Sequence, residues 1–370
     1  MTLRRKIWTS VLLLLLIAFA AAEYAFRYPP APHPAPVPAD PARRMKAVVF
    51  YQYGSPDVLQ IVDVEKPTPA DNEILVKVHA ASLNPYEWHF MSGSPYLVRM
   101  IAGWRAPKNY RLGVDFAGTV VAVGKSVTRY KVGDGVFGGA DGALAEYVTL
   151  KENDPSTVSM PSNMSFEQAA SVAIAGMTAL QAVRDKVPVH AGEKILVNGA
   201  SGGVGTFAVQ IAKSYGAEVT GVCSTRNFEL VRSLGADHVI DYTKEDFTRA
   251  GQQYDVIIDI VGSHSLLEYR HALTPTGTVV IVGGNTDDPW LGALDAPIRA
   301  IFLRPFVSQK FVLLLANVNK TSDMEILREL MQSGKMTPVI DRHYPLTEVA
   351  DAMRYLQAGH ARGKVVVDID

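Results

Sequence analysis

Lys194-Ile195-Leu196-Val197-Asn198-Gly199-Ala200-Ser201-Gly202-Gly203-Val204-Gly205 is the stretch that decides the fold. Lys194–Val197 reads as a short strand and Asn198–Gly205 as a glycine turn. Val204, Phe207, Ala208, Ile211 and Ala212 then recur at helical spacing up to Gly216, and Glu218–Cys223 makes the next strand. A strand–glycine turn–helix unit aims backbone N–H groups and a positive helix end at a phosphate, and its glycines let a pyrophosphate approach the backbone. The turn reads A-x-G-x-x-G from Ala200 to Gly205, with alanine where the usual fingerprint opens on glycine. Ala200, Ser201, Gly202, Gly203 and Val204 are the expected phosphate contacts.

The end of the second strand decides which dinucleotide fits. An NAD site places Asp or Glu there to accept hydrogen bonds from the ribose. This chain has Cys223-Ser224-Thr225-Arg226 instead. Ser224 and Thr225 can donate hydrogen bonds, and Arg226 brings a fixed positive charge, which favours the 2′-phosphate of NADPH. Further strands follow at His238–Asp241, Asp255–Ile260, Thr278–Val282 and Phe311–Ala316. In an open α/β sheet the ligand lies beyond the carboxyl ends of the strands, so Tyr242, Val261 and Gly283 are expected to face the nucleotide. From about Ser165 to Lys335 the alternation implies βαβ units and a doubly wound parallel sheet of the Rossmann type.

Before Ser165 the pattern differs. Lys46–Phe50, Ile74–Val78, Gly118–Gly124 and Glu146–Val148 read as strands separated by glycine and proline, an all-β or barrel-like half. With 370 residues, 48% of them hydrophobic, the chain has enough material for about two domains and is not globally disordered. A net charge of −1 gives no field for nucleic acid. The single cysteine, Cys223, excludes an intrachain disulfide and every zinc site that needs two thiolates.

Residues 1–44 stand apart. Arg4, Arg5 and Lys6 precede an uncharged apolar stretch from Ile7 to Ala22, about 24 Å long as a helix against the ~30 Å of a hydrocarbon core. Two readings fit: a secretory signal cleaved after Ala18-Phe19-Ala20, or an uncleaved single-pass membrane anchor over residues 1–28, its side of the membrane left open. Seven prolines between Pro29 and Pro41 then make residues 29–44 an extended linker of roughly 40 Å.

A barrel-like first half, Asn84-Pro85, Gly113-Val114-Asp115-Phe116-Ala117-Gly118 and the glycine turn together resemble the medium-chain dehydrogenase/reductase superfamily, most closely its zinc-independent quinone oxidoreductase branch. The resemblance covers Met45 to Asp370. It implies an α/β protein with a GroES-like β-barrel catalytic domain at 45–170, a Rossmann domain at 171–338 and a C-terminal return at 339–370. That return holds a helix over Leu346–Leu356 and a closing strand over Lys364–Asp368. Zinc-dependent members place a cysteine at Asn84 and a histidine at Val114; neither residue here is a usual zinc ligand, so no catalytic zinc is expected.

The same resemblance implies a first shell in Asn84-Pro85-Tyr86-Glu87-Trp88-His89, with Asn84 beside nicotinamide and acceptor, Glu87 in place of the usual Asp, and Tyr86 and His89 nearby. Tyr96 falls within one residue of the catalytic tyrosine of related enoyl reductases. Thr178, Tyr242, Arg362 and Lys364 match cofactor-facing positions, and Phe311–Ala316 the edge strand that pairs across a dimer in relatives. The expected activity is metal-free hydride transfer from NADPH to an electrophilic small molecule, a quinone or an α,β-unsaturated carbonyl. A membrane-tethered NADPH-binding sensor or scaffold without turnover is the second reading. Trp290–Phe306, apolar with Arg299 and Arg304, is a stretch that could line the acceptor site or touch a membrane.

Overall fold

The computed structural model describes residues 37–284, 292 and 307–369, together with Leu13, Leu14, Leu16, Ile17, Ala20 and Tyr24. The chain begins with a hairpin of β1 (Arg44–Val49) and β2 (Gln60–Glu65), followed by β3 (Glu73–Leu83), α1 (Pro85–Ser92), α2 (Val98–Ala102), β4 (Asp115–Val123), β5 (Gly135–Gly139), β6 (Tyr147–Lys151) and β7 (Thr157–Ser159). Two helices, α3 (Phe166–Ala170) and α4 (Ala173–Gln181), lead to β8 (Lys194–Asn198). Next come α5 (Gly203–Ser214), β9 (Glu218–Cys223), α6 (Phe228–Ser233), β10 (His238–Asp241), β11 (Tyr254–Asp259), α7 (Leu266–Ala272), β12 (Leu273–Ile281) and β13 (Lys310–Leu313). The chain closes with α8 (Thr321–Gln332), β14 (Ile340–Pro345), α9 (Val349–Gln357) and β15 (Lys364–Asp368).

Strands β8 to β13 form a parallel sheet in the order β10-β9-β8-β11-β12-β13, the doubly wound order whose direction reverses between β8 and β11. β8 is the strand that ends in the glycine turn, so the turn stands at the reversal, where two loops diverge and leave a crevice. β8, buried along Ile195–Asn198, reads as the continuous apolar run that a strand covered on both faces requires. The other large sheet is mostly antiparallel, in the order β14-β15-β3-β4-β5-β7, with β6 added to β3. β15 enters it beside β3, pairing Val365 with Leu83 and Val366 with Ser82. The last residues of the chain therefore complete the sheet that carries the start of α1. Val366 packs in the core shared with the parallel-sheet half, and Val365 and Val367 in the core of the other.

Strand β8 and the strands from β9 to β12 lie where the sequence puts them, and the final helix and strand match the expected C-terminal return. β2, β5, β7 and β14 were not legible, because each is short and lacks strict alternation. Their partners in the sheet, not their own pattern, hold them extended. Of the segment read as an anchor, the six described residues are helical and exposed, and the rest lies outside the described residues, as does Trp290–Phe306 apart from Gly292. No helix among the described residues is long and apolar enough to cross a membrane, so the single-pass helix over 1–28 is not upheld.

The turn glycines are not equivalent. Gly199 has φ +89°, a conformation that L side chains rarely adopt, and thus supplies the tight turn one residue before Ala200. The motif is in effect G-x-x-G-x-x-G, and Ala200 replaces nothing that the turn needs. A Cβ on Gly205 would stand 2.1 Å from the Gly199 carbonyl oxygen, whereas one on Gly202 would meet that atom at 3.5 Å, an ordinary contact. Gly205→Ala is expected to lower the unfolding free energy by about 1–3 kcal/mol through overpacking, and Gly202→Ala by about 1 kcal/mol or less. Urea denaturation of the two variants checks the contrast; equal losses would contradict it.

Candidate active site

Proline at the first helical position starts α1, and the peptide N–H of Asn84 donates to Glu87 Oε2 at 2.8 Å. The other Glu87 oxygen, Oε1, accepts from the Val114 N–H at 3.1 Å. Glu87 is thus a clamp between the start of α1 and the chain entering β4, and it is fully buried. Asn84 Nδ2 donates to Asp115 Oδ2 at 3.0 Å, and Ser82 Oγ donates to the same oxygen at 3.1 Å. The remaining Asp115 oxygen accepts from the Ile174 N–H at 3.0 Å, which ties this half to α4.

Lys364, on β15, closes the cluster. Its ammonium donates to the Leu83 carbonyl at 3.1 Å, to Asn84 Oδ1, and to Asp115 Oδ2 at 3.4 Å. Its side chain is 3% exposed and that of Asp115 is fully buried, so the two form a buried ion pair with further hydrogen bonds around it. The lysine stem passes the phosphate turn: its Cδ lies 3.3 Å from where a Cβ of Gly203 would stand. Three acceptors from the protein surround the ammonium, so Lys364 is placed as a strut between the glycine turn and Asn84. The sequence offered only a charged residue after glycine; nothing in it gave the depth at which the amine lies.

The glycine turn lies beside this cluster. α5 starts at Gly203 with no acidic residue in its first turn, leaving a positive end open to an anion. Ala200 is buried, and Ser201 Oγ accepts from Asn227 Nδ2 at 2.9 Å. The same amide donates to Ser224 Oγ at 3.4 Å, so Asn227, absent from the sequence-derived set, organises two of its members. Thr225 donates its hydroxyl to Asp241. That acid, on β10, escaped the sequence reading because it lies far from the second strand in the chain. It is held well below the ordinary carboxylate range by Thr225 first and then by Thr243 and Lys244. Arg226 Nη2 donates to the His360 carbonyl at 3.1 Å, linking the loop after β9 to the approach of β15. Tyr242 and Val261 are exposed at their strand ends, while a Cβ on Gly283 would meet the Ile260 carbonyl oxygen at 2.2 Å. Thr178 spends its hydroxyl on the Ile174 carbonyl of its own helix at 2.7 Å, and the Arg362 N–H donates to Asp341 at 2.9 Å.

These features fit a dinucleotide phosphate: glycines that admit a backbone approach, a free helix N-terminus, and no free carboxylate beside Arg226 among the described residues. A cavity of about 180 Å³ opens on the other side of Glu87, with Tyr86, Glu87, Phe90 and Val114 in its wall. The Tyr86 ring packs tilted on Phe90 with centroids 4.3 Å apart, and burial, with Asp141 and Glu87 adding to it, pushes its hydroxyl up to about 12. Tyr86 therefore remains a hydrogen-bond donor at neutral pH. His89 and Tyr96 are not in that wall. His89 Nδ1 lies 2.7 Å from the Ser94 carbonyl, and burial holds the ring below its ordinary pKa; Tyr96 lies over the Arg99 guanidinium. The structure brings Asn84, Tyr86 and Glu87 together and leaves those two aside. Among the described residues, no group of three or more His, Cys, Asp or Glu side chains could hold a metal ion.

Burial, with Asp115 next, pushes Glu87 up to about 7, against Lys364 and the peptide N–H groups of Glu87 itself and Asn84. A carboxyl with a higher pKa folded than unfolded binds more protons when folded. Its contribution to stability is full below its ordinary value of 4.5 and is lost as pH rises through about 7. The loss is on the order of 3 kcal/mol. The stability of the natural chain relative to Glu87→Gln is therefore expected to fall between pH 5 and pH 8, as measured by urea midpoints; a constant difference would contradict the assignment.

Two family models match: an alcohol dehydrogenase GroES-like domain over residues 70–162 and a zinc-binding dehydrogenase over 234–367. The chain is 34% identical over 342 residues to a chloroplast envelope quinone oxidoreductase homolog of Arabidopsis thaliana, covering 88% of this chain and 98% of that one. It is 34% identical to an NADPH-dependent alkenal/one oxidoreductase, chloroplastic, of the same plant, over 88% and 80% of the two chains. The solved quinone oxidoreductase of Coxiella burnetii superposes with a TM-score of 0.76 at 32% identity, over 88% of this chain and all of that one. The expected single-pass membrane localisation is not upheld, since no helix among the described residues is long and apolar enough to cross a membrane. The chain belongs to the medium-chain dehydrogenase/reductase superfamily, in its quinone oxidoreductase-like branch.

Proposed function

We propose that the chain reduces a quinone or an α,β-unsaturated carbonyl with NADPH, without a metal. The observation that supports this is one chain of contacts from the glycine turn to the cavity. The Lys364 stem runs beside the glycine turn, Lys364 holds Asn84, and Glu87 beside Asn84 walls the cavity that would take the acceptor. Bound NADPH supplies a hydride, which with one proton converts an enone to the saturated carbonyl or a quinone to the hydroquinone. Gly202 and Gly203 with the α5 N-terminus hold its pyrophosphate, and Ser224 and Arg226 face its 2′-phosphate; Thr178, Tyr242, Val261, Gly283 and Arg362 border the same cleft. Tyr86 donates a hydrogen bond to the acceptor oxygen. Glu87, with its carboxyl near neutrality, stores a proton at the cavity wall. Val114 keeps that wall apolar at the position where zinc-dependent relatives carry a ligand.

The catalytic half at 45–170, the nucleotide half at 171–338 and the return at 339–370 follow the two large sheets and the strand β15 that rejoins the first. β13, an edge strand among the described residues, is the surface through which two copies would pair.

Purified protein mixed with NADPH and a panel of quinones and enones is expected to consume the reduced nicotinamide, unaffected by chelators. Tight NADPH binding with no turnover on any acceptor would overturn the reading. Arg226→Asp removes a charge-assisted contact worth about 1.5–3 kcal/mol and adds repulsion, so NADPH affinity falls at least about tenfold while NADH affinity holds or improves. Equal affinity of the natural chain for NADH and NADPH would contradict the role of Arg226.

A further inference from the structure

The cavity beside Glu87 has a charged end that the reduction of a simple quinone does not use. Arg111 and Lys108 both line it, together with the apolar side chains of Phe50, Phe90 and Val114. Neither cation has a carboxylate within ion-pair distance among the described residues. Arg111 is packed into place: a Cβ on Gly142 would stand 2.8 Å from Arg111 Nε, and Gly142 has φ +76°. Its Nη2 donates to the Gly142 carbonyl at 3.2 Å, while Nε is buried with no acceptor and Nη1 has none among the described residues. Burial lowers the guanidinium pKa, so the site holds a cation whose hydration is reduced and whose donors are incompletely used. Asp141 also borders the cavity and attracts Arg111. One acid against two cations, with Glu87 half-protonated near neutrality, leaves the excess positive.

We propose that this end is an anion subsite, so that the acceptor the chain takes is a small enone bearing a carboxylate, held by Arg111 and Lys108 while its electrophilic end lies against Tyr86 and Glu87. This rests on the reductase reading above and narrows its substrate class. A planar guanidinium with free donors matches a carboxylate. A cavity of about 150 Å³ holds benzene, so one of ~180 Å³ takes roughly six to eight non-hydrogen atoms, the size of a short unsaturated keto acid and well below a prenylated quinone.

β-Acetylacrylate and its methyl ester separate charge from reactivity. The acid is expected to be the better substrate by at least tenfold in kcat/KM, and the acid-to-ester ratio to fall at least tenfold in Lys108→Met and in Arg111→Gln. Lys108 is exposed, so the first variant carries the test if the second folds poorly. An ester reduced as well as the acid, or an unchanged ratio in Lys108→Met, overturns the subsite. Calorimetry with levulinate, a carboxylate of similar size that lacks the reducible bond, reads the subsite without turnover. Binding to the natural chain that weakens at least tenfold in Lys108→Met supports it, and absence of binding overturns it. If neither enone is reduced while levulinate binds in this way, the reductase reading fails and the anion subsite stands.

Discussion

A single ammonium group ties the last strand of this protein to the strand ends that carry the candidate site. Lys364 comes from the last strand of the chain and reaches Asp115, 249 residues earlier, with Asn84 and the Leu83 carbonyl as its other acceptors. A lysine buried to this depth is tolerated only where its charge is paired and its donors are used. The pairing brings the β15–β3 junction, the start of α1 and the entry to β4 to one point, and Asp115 adds α4 through the Ile174 N–H. Glu87 extends the cluster to Val114 and to the cavity. Because the lysine stem runs beside Gly203, the glycine turn and the cavity wall are referenced to the same side chain.

That arrangement places a buried acid with a near-neutral pKa at the wall of the cavity. Two carboxyls share one lysine: Asp115 lies in direct contact with the ammonium, while Glu87 has two peptide donors and a burial cost that outweighs them. The separation of roles follows from position alone. Asp115 fixes the joint, and Glu87 borders the cavity.

The parallel-sheet half was legible because its signals are local: a buried strand, a glycine turn and an amphipathic helix follow one another within about twenty residues. Asn84 and Glu87 were legible through their place beside Pro85 and through the family pattern. The partners that give them meaning were not. Lys364 lies 280 residues from Asn84, and Asp241 and Asn227 act on Thr225, Ser224 and Ser201 through tertiary contacts that no spacing encodes. Arg111 escaped notice because a lone arginine in a loop is ordinarily solvated; only its packing on Gly142 removes water from Nε. The apolar N-terminal stretch misled in the opposite direction, since its composition suggested a membrane span that no described helix provides.

The most direct measurement is a double-mutant cycle on Lys364 and Asp115, with unfolding free energy as the readout. Lys364→Met alone should cost about 3–5 kcal/mol, because it leaves Asp115 buried without its cation. Lys364→Met combined with Asp115→Leu should cost clearly less than the sum of the two single changes. Additive losses, or a loss below about 1 kcal/mol for Lys364→Met, would show that the ion pair is not what holds this joint together.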